Sequence, residues 1–126
     1  MGLTPYFYDT YAVLAYMNGN KRYIRYFEED YGYLTALNLM EIYYALLRMH
    51  GEEAAEEGYS ASSKFEYEFE DDDLKEAMKL RLRLRDEGSS VSYADALGYF
   101  LSIKLKVKFL TGDIVFKNLE NVEYIK

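Results

Sequence analysis

Pro5-Tyr6-Phe7-Tyr8-Asp9-Thr10 decides how this chain is read. Four residues, three of them aromatic, favour a short buried strand. An acid and a hydroxyl residue follow at once, and the apolar spacing from Tyr11 to Asn18 then predicts a helix that stops near Gly19. A strand that runs straight into a helix through an acid is a unit that can repeat. Further along, the short apolar run Val107 to Leu110 leads through Thr111-Gly112 to Asp113.

Outward from that unit, strands and helices alternate. Lys21 to Asp30 reads as a second helix broken by Gly32, and Tyr33 to Leu37 as a second strand. Asn38 opens a strong helix through Leu39, Ile42, Tyr43, Leu46 and Leu47, ending near Gly51, and Glu52 to Ser63 forms another. Lys64 to Glu70 alternates charged and aromatic residues, which predicts a half-exposed edge strand. Asp71 to Asp86 reads as a helix despite the alternating Leu80-Arg81-Leu82-Arg83-Leu84-Arg85, because of its length and acidic start. Ser92 to Leu105 is apolar around most of its circumference, as a buried helix would be. Val122 to Ile125 is a candidate last strand. Strands separated by helices imply right-handed crossovers. The expected fold is therefore α/β, with three α/β/α layers around a mainly parallel sheet of four to five strands, in one domain over residues 1–126.

Composition bounds the chemistry. There are 126 residues, 50% apolar and 29% charged, enough to bury a core. Cysteine is absent and His50 is the sole histidine, which excludes a disulfide frame, a thiolate metal site and any site needing two imidazoles. His50 ends its helix, where it can meet the last carbonyls. No apolar run reaches the roughly 20 residues of a membrane span, so a soluble, cytoplasmic protein is expected. Fifteen basic against twenty-two acidic residues leave a net charge of −7, which argues against a broadly basic nucleic-acid surface. It leaves room for carboxylates holding a divalent cation that in turn binds phosphate.

Ligands of parallel α/β sheets bind beyond the carboxyl ends of the strands. Four acids are expected there: Asp9 after the first strand, Glu41 and Asp95 in the first turns of their helices, and Asp113 after the strand from Val107. Each also has a structural role available. Asp9 can cap the helix from Thr10, Asn38 to Glu41 has capping-box spacing, Ser92 to Asp95 nearly has it, and Asp113 can cap a turn. Capping accounts for each acid singly and not for four on one edge. With no lysine or arginine in these motifs, the group needs a cation or shared protons. Hard oxygen ligands alone point to Mg2+ or Mn2+ rather than zinc.

Tyr6-Phe7-Tyr8-Asp9-Thr10, Leu39-Met40-Glu41, Ser92-Tyr93-Ala94-Asp95-Ala96 and Leu110-Thr111-Gly112-Asp113 with Phe116, in that order, resemble the PIN domain. Across its whole length the chain looks most like a VapC-type toxin. That resemblance implies a metal-dependent ribonuclease, typically a homodimer, inhibited by a cognate antitoxin. Asp9, Glu41, Asp95 and Asp113 match the family's acidic positions, and Thr10 and Thr111 match positions where a hydroxyl supports the metal shell. Many relatives carry a further acid after the fourth, where Ile114 and Val115 stand here, so a second metal site would lack that ligand. The alternative is a degenerate PIN fold acting as a non-catalytic binding scaffold. A receiver-like domain would need a lysine where Thr111-Gly112-Asp113 stands, and a haloacid-type phosphatase an aspartate where Tyr11 stands.

For an RNA substrate, Lys21, Arg22 and Arg25 on one helix and Lys104, Lys106, Lys108 and Lys117 near the final strands are the candidate cations, or else a solvated charged face. Tyr11 and Tyr93 can stack on a base, or pack in the core. Tyr23, Tyr26, Phe27, Tyr43 and Tyr44 exceed what a small core easily hides, which predicts a protein interface for a dimer or an antitoxin segment.

Overall fold

A computed structural model describes residues 4–126. Its centre is a four-stranded, all-parallel sheet in the order β2-β1-β3-β4. The strands are β1 (Pro5–Tyr8), β2 (Tyr31–Tyr33), β3 (Lys108–Thr111) and β4 (Val122–Tyr124). Around them lie α1 (Thr10–Met17), α2 (Ile24–Glu28), α3 (Ala36–His50), α4 (Glu52–Ser63), α5 (Asp71–Asp86) and α6 (Tyr93–Leu105). Strand periodicity builds the two outer layers. Tyr6 and Tyr8 of β1 and Leu110 of β3 point into one cluster with Val13, Leu39, Ile42 and Leu46. Phe7 and Phe109 point the other way, against Leu80, Leu84, Leu97 and Leu101. The expected three-layer α/β/α arrangement is the observed one. No helix among the described residues is long and apolar enough to cross a membrane.

The order of the strands reverses between β1 and β3, so the chain leaves these neighbours in opposite directions and opens a crevice beyond their carboxyl ends. Tyr8 pairs with Leu110, and the Asp9 N–H donates to the Leu110 carbonyl at 3.2 Å. That register sets Asp9 beside Thr111.

Four local expectations are corrected. The second strand is Tyr31–Tyr33 rather than Tyr33 to Leu37, and Gly32 lies within it as a buried residue. A Cβ on Gly32 would meet the Tyr8 ring at 2.5 Å and the Tyr6 carbonyl at 2.7 Å, so this glycine serves close approach and not chain breaking. The next helix then starts earlier, at Ala36. Its cap is Thr35, in a reciprocal box with Asn38, whose Oδ1 accepts from the Thr35 N–H at 2.9 Å. Glu41 therefore sits in the second turn and not the first. Lys64 to Glu70 keeps its alternating exposure but forms one isolated parallel bridge, Leu34 with Glu66, instead of a strand. The Lys21 to Asp30 segment likewise divides into a 3₁₀ turn, Lys21–Tyr23, and the short α2.

Gly32→Ala is expected to destabilise the fold by roughly 1–3 kcal/mol, the usual range for overpacking. Urea unfolding read by far-UV circular dichroism checks this, and a variant of unchanged midpoint would contradict the packing.

Candidate active site

Asp9 directly follows β1 and caps α1, and it is only 2% exposed. Its Oδ1 accepts the Ala12 N–H at 2.7 Å, and its Oδ2 accepts the Thr111 hydroxyl. The same Thr111 oxygen accepts the Asp113 N–H at 2.9 Å, while Asp113 Oδ1 accepts from Val115 at 3.0 Å and caps a 3₁₀ turn, Ile114–Phe116. A continuous chain of hydrogen bonds thus runs from Asp9 through Thr111 to Asp113. On the other flank, Thr10 donates its hydroxyl to Glu41 Oε1 at 2.5 Å and accepts from Asn38 Nδ2 at 3.1 Å. Asp95 lies in the first turn of α6, its N–H bound to the Ser92 hydroxyl at 3.1 Å.

Electrostatics ties these groups together. Burial pushes the Asp9 carboxyl well above the usual carboxylate range; its bonds from Thr111 and Ala12 oppose that, and the charges of Asp95 and Asp113 add to it. Burial likewise raises Asp95 to about 6, helped by the charge of Glu41 and then of Asp113, against the Ser92 hydrogen bond. Asp9 and Asp95 thus feel the charges of neighbouring acids, with Asp113 acting on both. The ion pairs among the described residues, Arg25–Glu123, Lys79–Glu76 and Lys104–Asp73, include none of them.

The donor set is carboxylate and hydroxyl oxygen alone, which suits a hard divalent cation. Each Asp9 oxygen accepts one bond and keeps a second lone pair. Yet no group of three or more His, Cys, Asp or Glu side chains among the described residues is gathered tightly enough to hold a metal ion. Asp95, Glu41 and Asp113 are half-buried, whereas Asp9 is buried.

Asn38 escaped the sequence reading as a site residue. It is buried and binds Thr35 and Thr10 at once, so it joins the cap of α3 to the Thr10–Glu41 pair. The spacing Thr35-x-x-Asn38 was the available signal. Tyr11 and Tyr93 are exposed by 41% and 64%, so neither is core. A Cβ at Gly112 would strike the Tyr11 ring, and would lie 2.6 Å from the Ile125 carbonyl. The Arg81 guanidinium lies 4.4 Å from the Tyr93 ring centre. Lys104 is taken up by the buried Asp73 at 2.8 Å, which removes it from the cations open to a phosphate. Tyr23 and Tyr26 are buried, Phe27 and Tyr43 half-buried, and Tyr44 is 65% exposed.

An acid whose pKa is raised on folding binds its proton more tightly in the folded state, so it favours folding at low pH. In metal-free buffer the wild type should gain melting temperature relative to Asp95→Asn as pH falls through about 6, levelling off near the ordinary carboxylate value. Thermal melts from pH 7.5 to 4 check this; parallel curves for the two proteins would contradict the raised proton affinity.

Relatives agree with the architecture. A family model described as the PIN domain matches residues 6–122. Comparison of the sequence with curated proteins yields no match. The fold is similar to that of VapBC2 from Rickettsia felis, solved bound to a DNA fragment from its promoter, with a TM-score of 0.77 at 17% identity over 98% of this chain and 100% of the other. It is also similar to a toxin-antitoxin complex from Klebsiella pneumoniae (TM-score 0.72, 16% identity, 97% and 99% covered). A third likeness is PAE2754 from Pyrobaculum aerophilum (TM-score 0.67, 15% identity, 98% and 92% covered). With a family match running from β1 to the start of β4, this chain belongs to the PIN domain family.

Proposed function

We propose that this chain is a VapC-type toxin, a Mg2+- or Mn2+-dependent ribonuclease that cleaves RNA phosphodiesters in the cytoplasm and is held in check by an antitoxin. The observation that carries this reading is Asp9: a buried carboxylate with no cationic partner among the described residues, whose proton affinity is raised further by Asp95 and Asp113. The family match and the fold shared with two toxin–antitoxin complexes support it.

Asp9, Asp95 and Asp113 are the residues that would hold the cation, with Glu41 as a further ligand or as the group that orients the attacking water. A bound divalent ion supplies charge neutralisation at the phosphate and lowers the pKa of water. The chain's own part is positional. Thr111 and Ala12 fix both oxygens of Asp9, and Thr10 fixes Oε1 of Glu41. Asn38 fixes Thr10 in turn. A partner surface is supported by α3, where Met40, Tyr44 and Leu47 recur at helical spacing and stand exposed. That stripe suits a second copy of the chain or an amphipathic antitoxin segment.

A non-catalytic PIN scaffold is the second reading, favoured by the absence of a gathered three-acid group among the described residues. Incubation with total RNA separates the two. Cleavage should require Mg2+ or Mn2+, stop with chelator, and fall at least about 100-fold in Asp9→Asn, the upper scale for losing metal-supporting groups. Asn keeps the cap of α1, so the variant's melting temperature should be unchanged or higher. Unchanged cleavage in Asp9→Asn would refute the site. Millimolar Mg2+ should also raise the melting temperature of the wild type and not of Asp9→Asn.

A further inference from the structure

We propose a nucleobase subsite for single-stranded RNA on the outer face of α1, which rests on the ribonuclease reading and extends its site by one or two nucleotides. Tyr11, Leu14, Ala15 and Asn18 share one helical face and, with Asn20, line an open hollow of about 340 Å3. The face starts two residues after Asp9 and runs seven residues to Asn18, about 10 Å. Tyr11 is anchored at the catalytic end. Its ring packs where a Cβ of residue 112 would stand, so Gly112 is the seat that lets it lie against the Thr111–Asp113 turn. The ring stays 41% exposed, an aromatic surface held in place beside the acids.

The hollow's chemistry selects among occupants. Its floor is apolar, its far end carries two side-chain amides, and no charged residue lines it. An aromatic ring with amides beyond it suits a planar heterocycle with hydrogen-bonding edges. Asn20 uses its Oδ1 to cap the following turn, accepting from the Arg22 N–H at 3.0 Å, and its amide nitrogen has no partner within the cap. Lys21 and Arg22 follow directly and are exposed, which places cations for the backbone phosphates next to the hollow in a chain of net charge −7.

The test is binding of fluorescent ten-nucleotide RNAs of uridine, adenosine or cytidine, by anisotropy at low salt with EDTA to prevent metal-dependent cutting. Tyr11→Ala should weaken binding about ten-fold or more, and Tyr11→Phe should retain it, as stacking requires. Asn18→Ala, on an exposed position, should narrow the differences between the three RNAs. No binding by the wild type, or equal binding by Tyr11→Ala, overturns the subsite; a protein segment as the occupant gives that second result. Binding that depends on Tyr11 without any cutting in Mg2+ or Mn2+ retires the nuclease reading and leaves the subsite standing. Cutting by the wild type with unchanged affinity in Tyr11→Ala retires the subsite alone.

Discussion

Parallel pairing of β1 with β3 is the contact on which the rest depends. It joins segments about a hundred residues apart in sequence, and its register puts the end of one strand beside the end of the other. Asp9 and Thr111 become neighbours only through it, and the Thr111 hydroxyl then serves both Asp9 and the N–H of Asp113. The strand order also reverses at this pair, which opens the crevice. A small alternating set of side chains enforces the register. Phe7 and Phe109 must face α6 together, while Tyr8 and Leu110 face the opposite layer, so a one-residue slip would turn both strands inside out.

Much of this was legible in the residues because the relevant signals are local. Pro5 to Tyr8 is a strand with the bounds its aromatic run implies, and Ser92 caps α6 with Asp95 in its first turn. The alternating Leu80 to Arg85 run is helical, as its acidic start indicates, since Asp71, Asp72 and Asp73 lie in the first turn where the helix dipole favours negative charge. Asp9 and Asp113 follow the ends of β1 and β3, and burial first, then the charges of neighbouring acids, raises the proton affinity of Asp9 and Asp95.

What could not be read depends on contacts distant in sequence. Lys64 to Glu70 shows which side chains face water, but periodicity carries no information about whether a strand stands alongside to pair. Here the one ladder contact among the described residues is Leu34, which accepts from Tyr67 at 2.7 Å and donates to Phe65 at 3.0 Å. Gly32 looks like a breaker until the Tyr8 ring is placed over it. That misreading displaced the start of α3 and with it the turn assigned to Glu41. Asn38 has the look of a helix start, whereas its amide closes the cap from inside and reaches Thr10 on a different element. Lys104 illustrates the same limit for charge, because only the fold reveals that a buried aspartate already holds it.

The acids themselves show why local explanations fall short. Three have a hydrogen-bonded role, Asp9 and Asp113 as caps and Glu41 as acceptor from Thr10, and Asp95 lies in the first turn of α6. Such roles contribute roughly 0.5–2 kcal/mol for a cap and 0.3–1 kcal/mol for charge at a helix start. Two carboxylates repel by about 4 kcal/mol at 4 Å and an effective dielectric of 20, and still by about 2 kcal/mol at 8 Å. Serine, threonine or asparagine would cap as well with no such repulsion. In Asp9, moreover, two hydrogen bonds fail to offset burial and the neighbouring charges, since its affinity for a proton remains raised. Local terms therefore explain where each carboxylate sits and leave its company unexplained. An arrangement satisfied residue by residue can still set like charges near one another, and for Asp9 and Asp95 burial together with those charges shows as a raised affinity for protons. That raised proton affinity, more than any single hydrogen bond, is what separates this edge of the sheet from an ordinary set of helix caps.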